Sequence, residues 1–199
     1  MTKCHLLGPI SIGIQLFQAI AIASALILKR HLERPQRTWS VWFMDVSKQV
    51  VGSGGIHIAN VAASVGKDEC VYYILNLFLD CTIGVAVIWA WLLLLERVAL
   101  KFKVHLGQRG HYENSRAYLL QLLIYMIALI LMKFTVWGII GSMPWLVVVV
   151  EKLIMELEWR EGVLEGAVLL GVPLILNTCQ YIVVDWVLEF KGGPIVDSY

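Results

Sequence analysis

Asp80 and Lys133 are the residues whose chemistry is hardest to place, because each lies inside an apolar run long enough to cross about 30 Å of hydrocarbon. A lone charge at that depth costs roughly 3 kcal/mol on insertion scales, so the two are read as an ion pair. His57, Asn60 and Asn76 fall at similar depth, counting about 1.5 Å per residue along each predicted helix. These five make one polar layer. A second layer near the opposite face holds Asp45, Lys48, Gln49, Asn177, Gln180 and Asp185, with Lys48 placed to pair with Asp185 or with Asp45 three residues back. Donors, acceptors and titratable groups on separate helices are the ingredients of an intramembrane site for a solute, an ion or a lipid headgroup. The same groups also serve simply to fix how helices meet.

Other chemistries lack their residues. His57 has no second His or Cys at ligand spacing on its helix, and Cys4, Cys70, Cys81 and Cys179 form no C-x-x-C pair, so neither a metal nor a redox dithiol is indicated. Ser53 and His57 stand four apart, yet Gly52-Ser53-Gly54-Gly55 lacks the spacer of the intramembrane serine-protease motif G-x-S-G. No catalytic residue and no cofactor is assigned, and an enzyme is not expected.

The elements that position these groups follow from composition. Hydrophobic residues make up 59% and charged residues 16%, with a mean hydropathy of +0.74, against about 25% charged in a soluble domain. A net charge of +1 and the absence of zinc-finger, RRM or helix-turn-helix patterns exclude nucleic acid as a partner. The expected fold is all-α: a polytopic membrane protein forming a single bundle over 1–199, with helices at about 6–28, 41–65, 71–95, 118–140 and 164–188. Gly171 and Pro173 should kink the last of these. The segment at about 144–161 is too short and too charged to span and reads as interfacial, or as a prolongation of the fourth helix past Pro144.

Basic residues set the orientation. The loop after the first helix carries Lys29, Arg30, Arg34 and Arg37, and the loop after the third carries Arg97, Lys101, Lys103, Arg109 and Arg116. Both should be cytosolic, which puts the N-terminus in the lumen and the C-terminus in the cytosol. Lys29, Arg30, Arg34 and Arg37 are expected to lie on anionic lipid. On the second helix Gly52 and Gly55 are small enough for a partner helix to approach closely.

The stretch Arg34 to Trp42, then Asp45-Val46-Ser47-Lys48-Gln49 with Gly52, His57 and Asn60, resembles the signature of the STIMATE family. The similarity runs on through Cys70, Tyr73, Asn76, Asp80 and Gly84, through Gln121, Tyr125, Met132 and Lys133, through Pro144-Trp145 and Glu161-Gly162, and through Pro173, Asn177, Gln180, Tyr181 and Asp185. It covers about Lys29 to Leu188. The resemblance implies a protein of the endoplasmic reticulum or vacuolar membrane that regulates by binding, with a calcium-sensor membrane protein as partner and store-operated calcium entry or membrane contacts as the process. Two departures stand out. Gly110-His111-Tyr112-Glu113-Asn114 replaces the Tyr-Gly-Asp/Asn-Pro common in the family, and the sequence runs only to Tyr199 where animal members carry a long charged cytosolic tail. Two function classes follow: a regulator acting through partner binding, and a binding or transport protein using the polar interior.

Overall fold

The computed structural model describes residues 9–34, 36–64, 69–102, 104, 115–157 and 171–189. The described residues form α1 (Pro9–Leu32), α2 (Trp39–Ser64), α3 (Glu69–Cys81), α4 (Ile83–Lys101), α5 (Ser115–Ser142), α6 (Trp145–Leu157) and α7 (Val172–Glu189), with no strand among them. Residues 6–8, the loops at 65–68 and 105–114, the end of the predicted interfacial segment and positions 164–170 lie outside the described residues.

The longest element, α5, is a run of Leu, Ile, Met and Ala with no proline, all good helix formers or buried apolar residues. It lies along α4, while α1 lies along α7; α2 and α3 sit between these pairs and each touches α5 and α7. One apolar core joins Leu75 and Leu79 of α3, Ile88 and Leu92 of α4, Leu129 and Met132 of α5 and Val184 of α7. A smaller one joins Ile22 and Leu26 of α1 to Trp42 of α2. On α3 the core residues Leu75 and Leu79 run beside a second stripe, Asn76 and Asp80, displaced by one position. That offset aims the polar stripe at α2 and α5.

The single third helix expected over 71–95 is two helices, broken at Thr82. Its backbone (φ −104°, ψ −86°) leaves the helical region, and its hydroxyl donates to the Phe78 carbonyl at 2.6 Å. Such back-bonding bends helices. Gly84 permits the bend to stay packed: a Cβ there would meet the Leu79 carbonyl oxygen and Met132 Sδ, both at 3.2 Å. The apolar segment after α5 is likewise a separate helix, α6, set off by Met143-Pro144 and packed on α3 rather than continuing α5. Gly171 lies in a π-type turn and Pro173 is the second residue of α7, so the expected kink falls at the edge of the described residues.

By length and composition α4 and α5 can each cross a membrane. Outside the cores the exterior is apolar over most of its height: Phe17, Ile20, Phe43, Ile58, Phe134, Ile175 and Trp186 are all more than half exposed. Water does not tolerate so extensive an apolar surface, whereas acyl chains do.

A candidate polar binding site

Lys133 of α5 meets Asp80 of α3 inside the helix assembly. Its ammonium donates to both carboxylate oxygens, at 3.0 and 2.8 Å, and to Asn76 Oδ1 at 3.1 Å. Asn60 of α2 completes the group by donating from Nδ2 to Asp80 Oδ2 at 3.1 Å. The Lys133 and Asp80 side chains are 5% and 2% exposed, so among the described residues their charges are solvated by one another, by these amides and by the Trp137 ring 5.9 Å from the ammonium. Four of the five residues predicted for this layer are thus joined directly. His57, one turn from Asn60, is half-buried and lines the cavity described below rather than joining the pair.

A second cluster gathers where α1, α2 and α7 come together. Asp185, fully buried, accepts from Lys29, from Arg37 Nη2 at 2.8 Å and from Gln49 Nε2 at 3.1 Å. Arg37 also donates to Asp45 Oδ2 at 3.1 Å and to Glu33 Oε1 at 2.6 Å. Lys48 donates to Gln121 Oε1 at 2.9 Å and stands 3.8 Å from Asp45. The partner of Lys48 is therefore Asp45 rather than Asp185.

The predicted lipid-facing basic loop is mostly turned inward. Arg30 is 5% exposed, stacks 3.6 Å over the Trp39 ring and donates to the Arg37 carbonyl; Lys29 and Arg37 hold Asp185; only Arg34 is exposed. The reason is electrostatic. Two fully buried carboxylates, Asp45 and Asp185, need cationic donors, and a guanidinium fork serves both at once where one ammonium cannot.

Glu33, absent from the predicted set, closes the cluster from the end of α1. Burial works against its charge, but hydrogen bonds and charge from Arg37 and then Lys29 hold its carboxyl below the usual range. A lowered folded-state pKa means stability that is complete above the ordinary carboxylate range and disappears as the pH falls through the lowered value. Detergent-solubilised protein should accordingly lose thermal stability on acidification below about pH 4.5, and Glu33→Gln should flatten that part of the profile.

Asn177 and Gln180 do not belong to this cluster. They lie roughly 12 Å and 8 Å along α7 from Asp185, and they accept from the Cys81 thiol at 3.8 and 3.0 Å, next to Asp80. Gly52 also changes role. A Cβ at this position would overlap Leu129 and the Tyr125 ring, so Gly52 is the close-approach point of α2 and α5 within the chain, whereas Gly55 is exposed. Gly52→Val should cost about 1–3 kcal/mol by overpacking, read as a lowered unfolding midpoint, while Gly54→Ala, whose Cβ meets nothing, should leave it unchanged.

Between the two clusters lies a cavity of about 310 Å³ bounded by α1, α2, α3, α4, α5 and α7. Gln49 of the second cluster and Asn60 and Asp80 of the first are on its wall, with His57, Asn177, Gln180 and the tyrosines Tyr73, Tyr125 and Tyr181. A further hollow of about 550 Å³, bounded by Tyr72, Trp137 and Pro144 among others, lies on the far side of Asn76. Gln18 of α1, also on the first cavity's wall, escaped the sequence reading; its signal was a pair of glutamines, Gln15 and Gln18, three apart within an apolar run. The tyrosines carried the signal of sharing polar helix faces.

Comparison with known proteins bears on this arrangement. The profile of the STIMATE family matches residues 70–190, which include Asp80, Lys133, Gln180 and Asp185. The vacuolar membrane protein YPL162C of Saccharomyces cerevisiae is 32% identical over 224 aligned residues, covering 96% of this chain and 81% of the relative. The chain belongs to the STIMATE family. No solved structure matches it. Membership, together with two helices able to cross a bilayer, makes it an endomembrane protein. Within the STIMATE family match fall both members of the buried ion pair, Asp80 and Lys133; the second cluster's Glu33, Arg37 and Asp45 lie before it.

Proposed function

We propose that this STIMATE-family chain is a multi-pass regulator of an endomembrane, vacuolar or of the endoplasmic reticulum, that tunes calcium handling or membrane contacts by binding a calcium-sensor type membrane protein. Five segments cross the bilayer in this reading: α1, α2, the bent α3–α4 pair, α5 and α7, with the N-terminus lumenal and the C-terminus cytosolic. One observation supports it above the rest. The charges at mid-height of the helices turn inward onto partners, which leaves an outer face of exposed apolar side chains for lipid and for other membrane helices.

With Gly52 used inside the chain, the partner-facing stripe is Val51, Gly55 and Ile58, three exposed positions on one face of α2. The cytosolic calcium rise that follows store emptying should weaken when the protein is deleted, return with the wild-type chain, and return incompletely with Gly55→Leu. An unchanged rise on deletion overturns the calcium reading. Glycosylation acceptor sites added before Pro9 and after Glu189 should be used only at the N-terminal position; use of the C-terminal one overturns the topology.

A second reading is favoured by the cavity: the interior binds a small polar group. Its wall of amides, tyrosines and one paired carboxylate is the composition of a binding site more than of a hydrophobic core.

A further inference from the structure

The polar atoms on the cavity wall specify what it takes, given the reading of the interior as a binding site. Gln49 and Asn60 are 2% and 4% exposed, and their carbonyl oxygens, Gln49 Oε1 and Asn60 Oδ1, have no hydrogen-bond partner among the described residues. Their orientation is forced. Each amide nitrogen donates to a carboxylate that is already accepting from cations, Asp185 for Gln49 and Asp80 for Asn60, so a flipped amide would set oxygen against oxygen. The two residues are eleven apart on α2, three turns and nearly the same face, and both line the cavity. A buried acceptor left unmatched is costly, and a ligand bearing donors removes that cost.

Charge narrows the class further. Among the described residues the cavity wall carries no lysine or arginine, and its one carboxylate, Asp80, is matched by Lys133. An anion finds no lysine or arginine there, and a full cation finds no unmatched carboxylate; an uncharged group with hydroxyl donors fits beside His57 and the amides. Access narrows the source. Ala19 of α1 and Gly54 of α2 are exposed residues on the cavity's wall, both near the middle of their helices, and α1 rests on α7 rather than along α2. In the five-span reading this mouth faces acyl chains at mid-bilayer.

We infer that the cavity is a lateral site for the small uncharged, hydroxyl-bearing headgroup of a membrane lipid, whose hydroxyl donates to Asn60 Oδ1, with Gln49 Oε1 as a second acceptor further along the wall. The acyl part leaves between α1 and α2.

Native mass spectrometry of the purified full chain tests this with three probes: dioleoylglycerol, myo-inositol and dioleoyl phosphatidic acid. Dioleoylglycerol should be retained on the wild-type chain, and retention should fall at least tenfold in Gly54→Phe, which plugs the mouth at a position where a Cβ meets nothing, and in Asn60→Leu. Gly54→Phe keeps the test decisive should Asn60→Leu fail to fold. Binding of myo-inositol in place of dioleoylglycerol, sensitive to Gly54→Phe, upholds the donor chemistry and overturns the bilayer as its source. Preferred binding of phosphatidic acid, again sensitive to Gly54→Phe, leaves the interior a binding site but overturns its uncharged hydroxyl ligand. Retention of no probe, or retention indifferent to Gly54→Phe, overturns the inference and the binding-site reading together.

Discussion

Lys133→Ala, with Asp80 left in place, is expected to destabilise the protein by about 3–5 kcal/mol, the cost of leaving one member of a buried ion pair uncompensated. Among the described residues Lys133 is the one cation bonded to Asp80, which also accepts from the neutral amide of Asn60, and neither charged side chain has more than 5% exposure. Loss of the ammonium also frees Asn76 Oδ1, so α5 loses its polar tie to α3 at two points. For a chain of this size the thermal midpoint in detergent should drop on the order of 10 °C. Removing both charges, as in Asp80→Asn with Lys133→Met, should cost less than either charge-breaking single change, because no naked ion remains. That non-additivity separates an electrostatic pair from two residues that merely fill space.

Asp185→Ala should be the next most damaging substitution, at about 3 kcal/mol. It removes one acceptor from three donors at once: Lys29 of α1, Arg37 of the connection and Gln49 of α2. Arg37 keeps Asp45 and Glu33, and Lys29 keeps Glu33, which is why the cost is not larger. Gln49 has no such second partner for its nitrogen, so its whole amide is left unpaired in the interior. Thermal denaturation of Asp185→Ala beside Asp185→Asn measures this. The asparagine keeps an acceptor and should recover part of the loss, and α1 should become the segment most readily cut by protease in the alanine variant, because Lys29–Asp185 is its ionic tie to α7.

Some of this arrangement was legible in the residues alone, for physical reasons. Asp80 and Lys133 each sit in an apolar run, where a charge has few acceptable partners, so their pairing followed from desolvation cost. Asn60 and Asn76 followed from sharing faces and depth with them. The destination of Arg37 did not follow, because a loop arginine is equally at home on lipid phosphates; only the assembled helices show two buried carboxylates within reach of one guanidinium. Lys29, Glu33 and Arg37 do carry a readable hint, opposite charges at successive intervals of four.

Gly52 and Gly55 look alike in sequence, yet three positions rotate a helix by about 300°, enough to put one against Tyr125 and the other outside. The break at Thr82 was hidden because threonine and glycine are common within apolar helices; its cause is the meeting of a hydroxyl with the Phe78 carbonyl and of Gly84 with Leu79. Asn177 and Gln180 were misplaced for a related reason. Depth along α7 was counted from Leu164, outside the described residues, and that count set both beside Asp185 rather than beside Cys81 and Asp80. The cavity itself was invisible from sequence, since a void is a property of packing rather than of any residue.

The central claim is that side chains of separate helices, Asp80 on α3 and Lys133 on α5, meet inside the bundle and hold it together. Exchanging the two charges tests it most directly: Lys133→Asp alone should lower the unfolding midpoint sharply, and adding Asp80→Lys in the same chain should restore at least half of the loss. A double variant no more stable than Lys133→Asp alone would contradict the account.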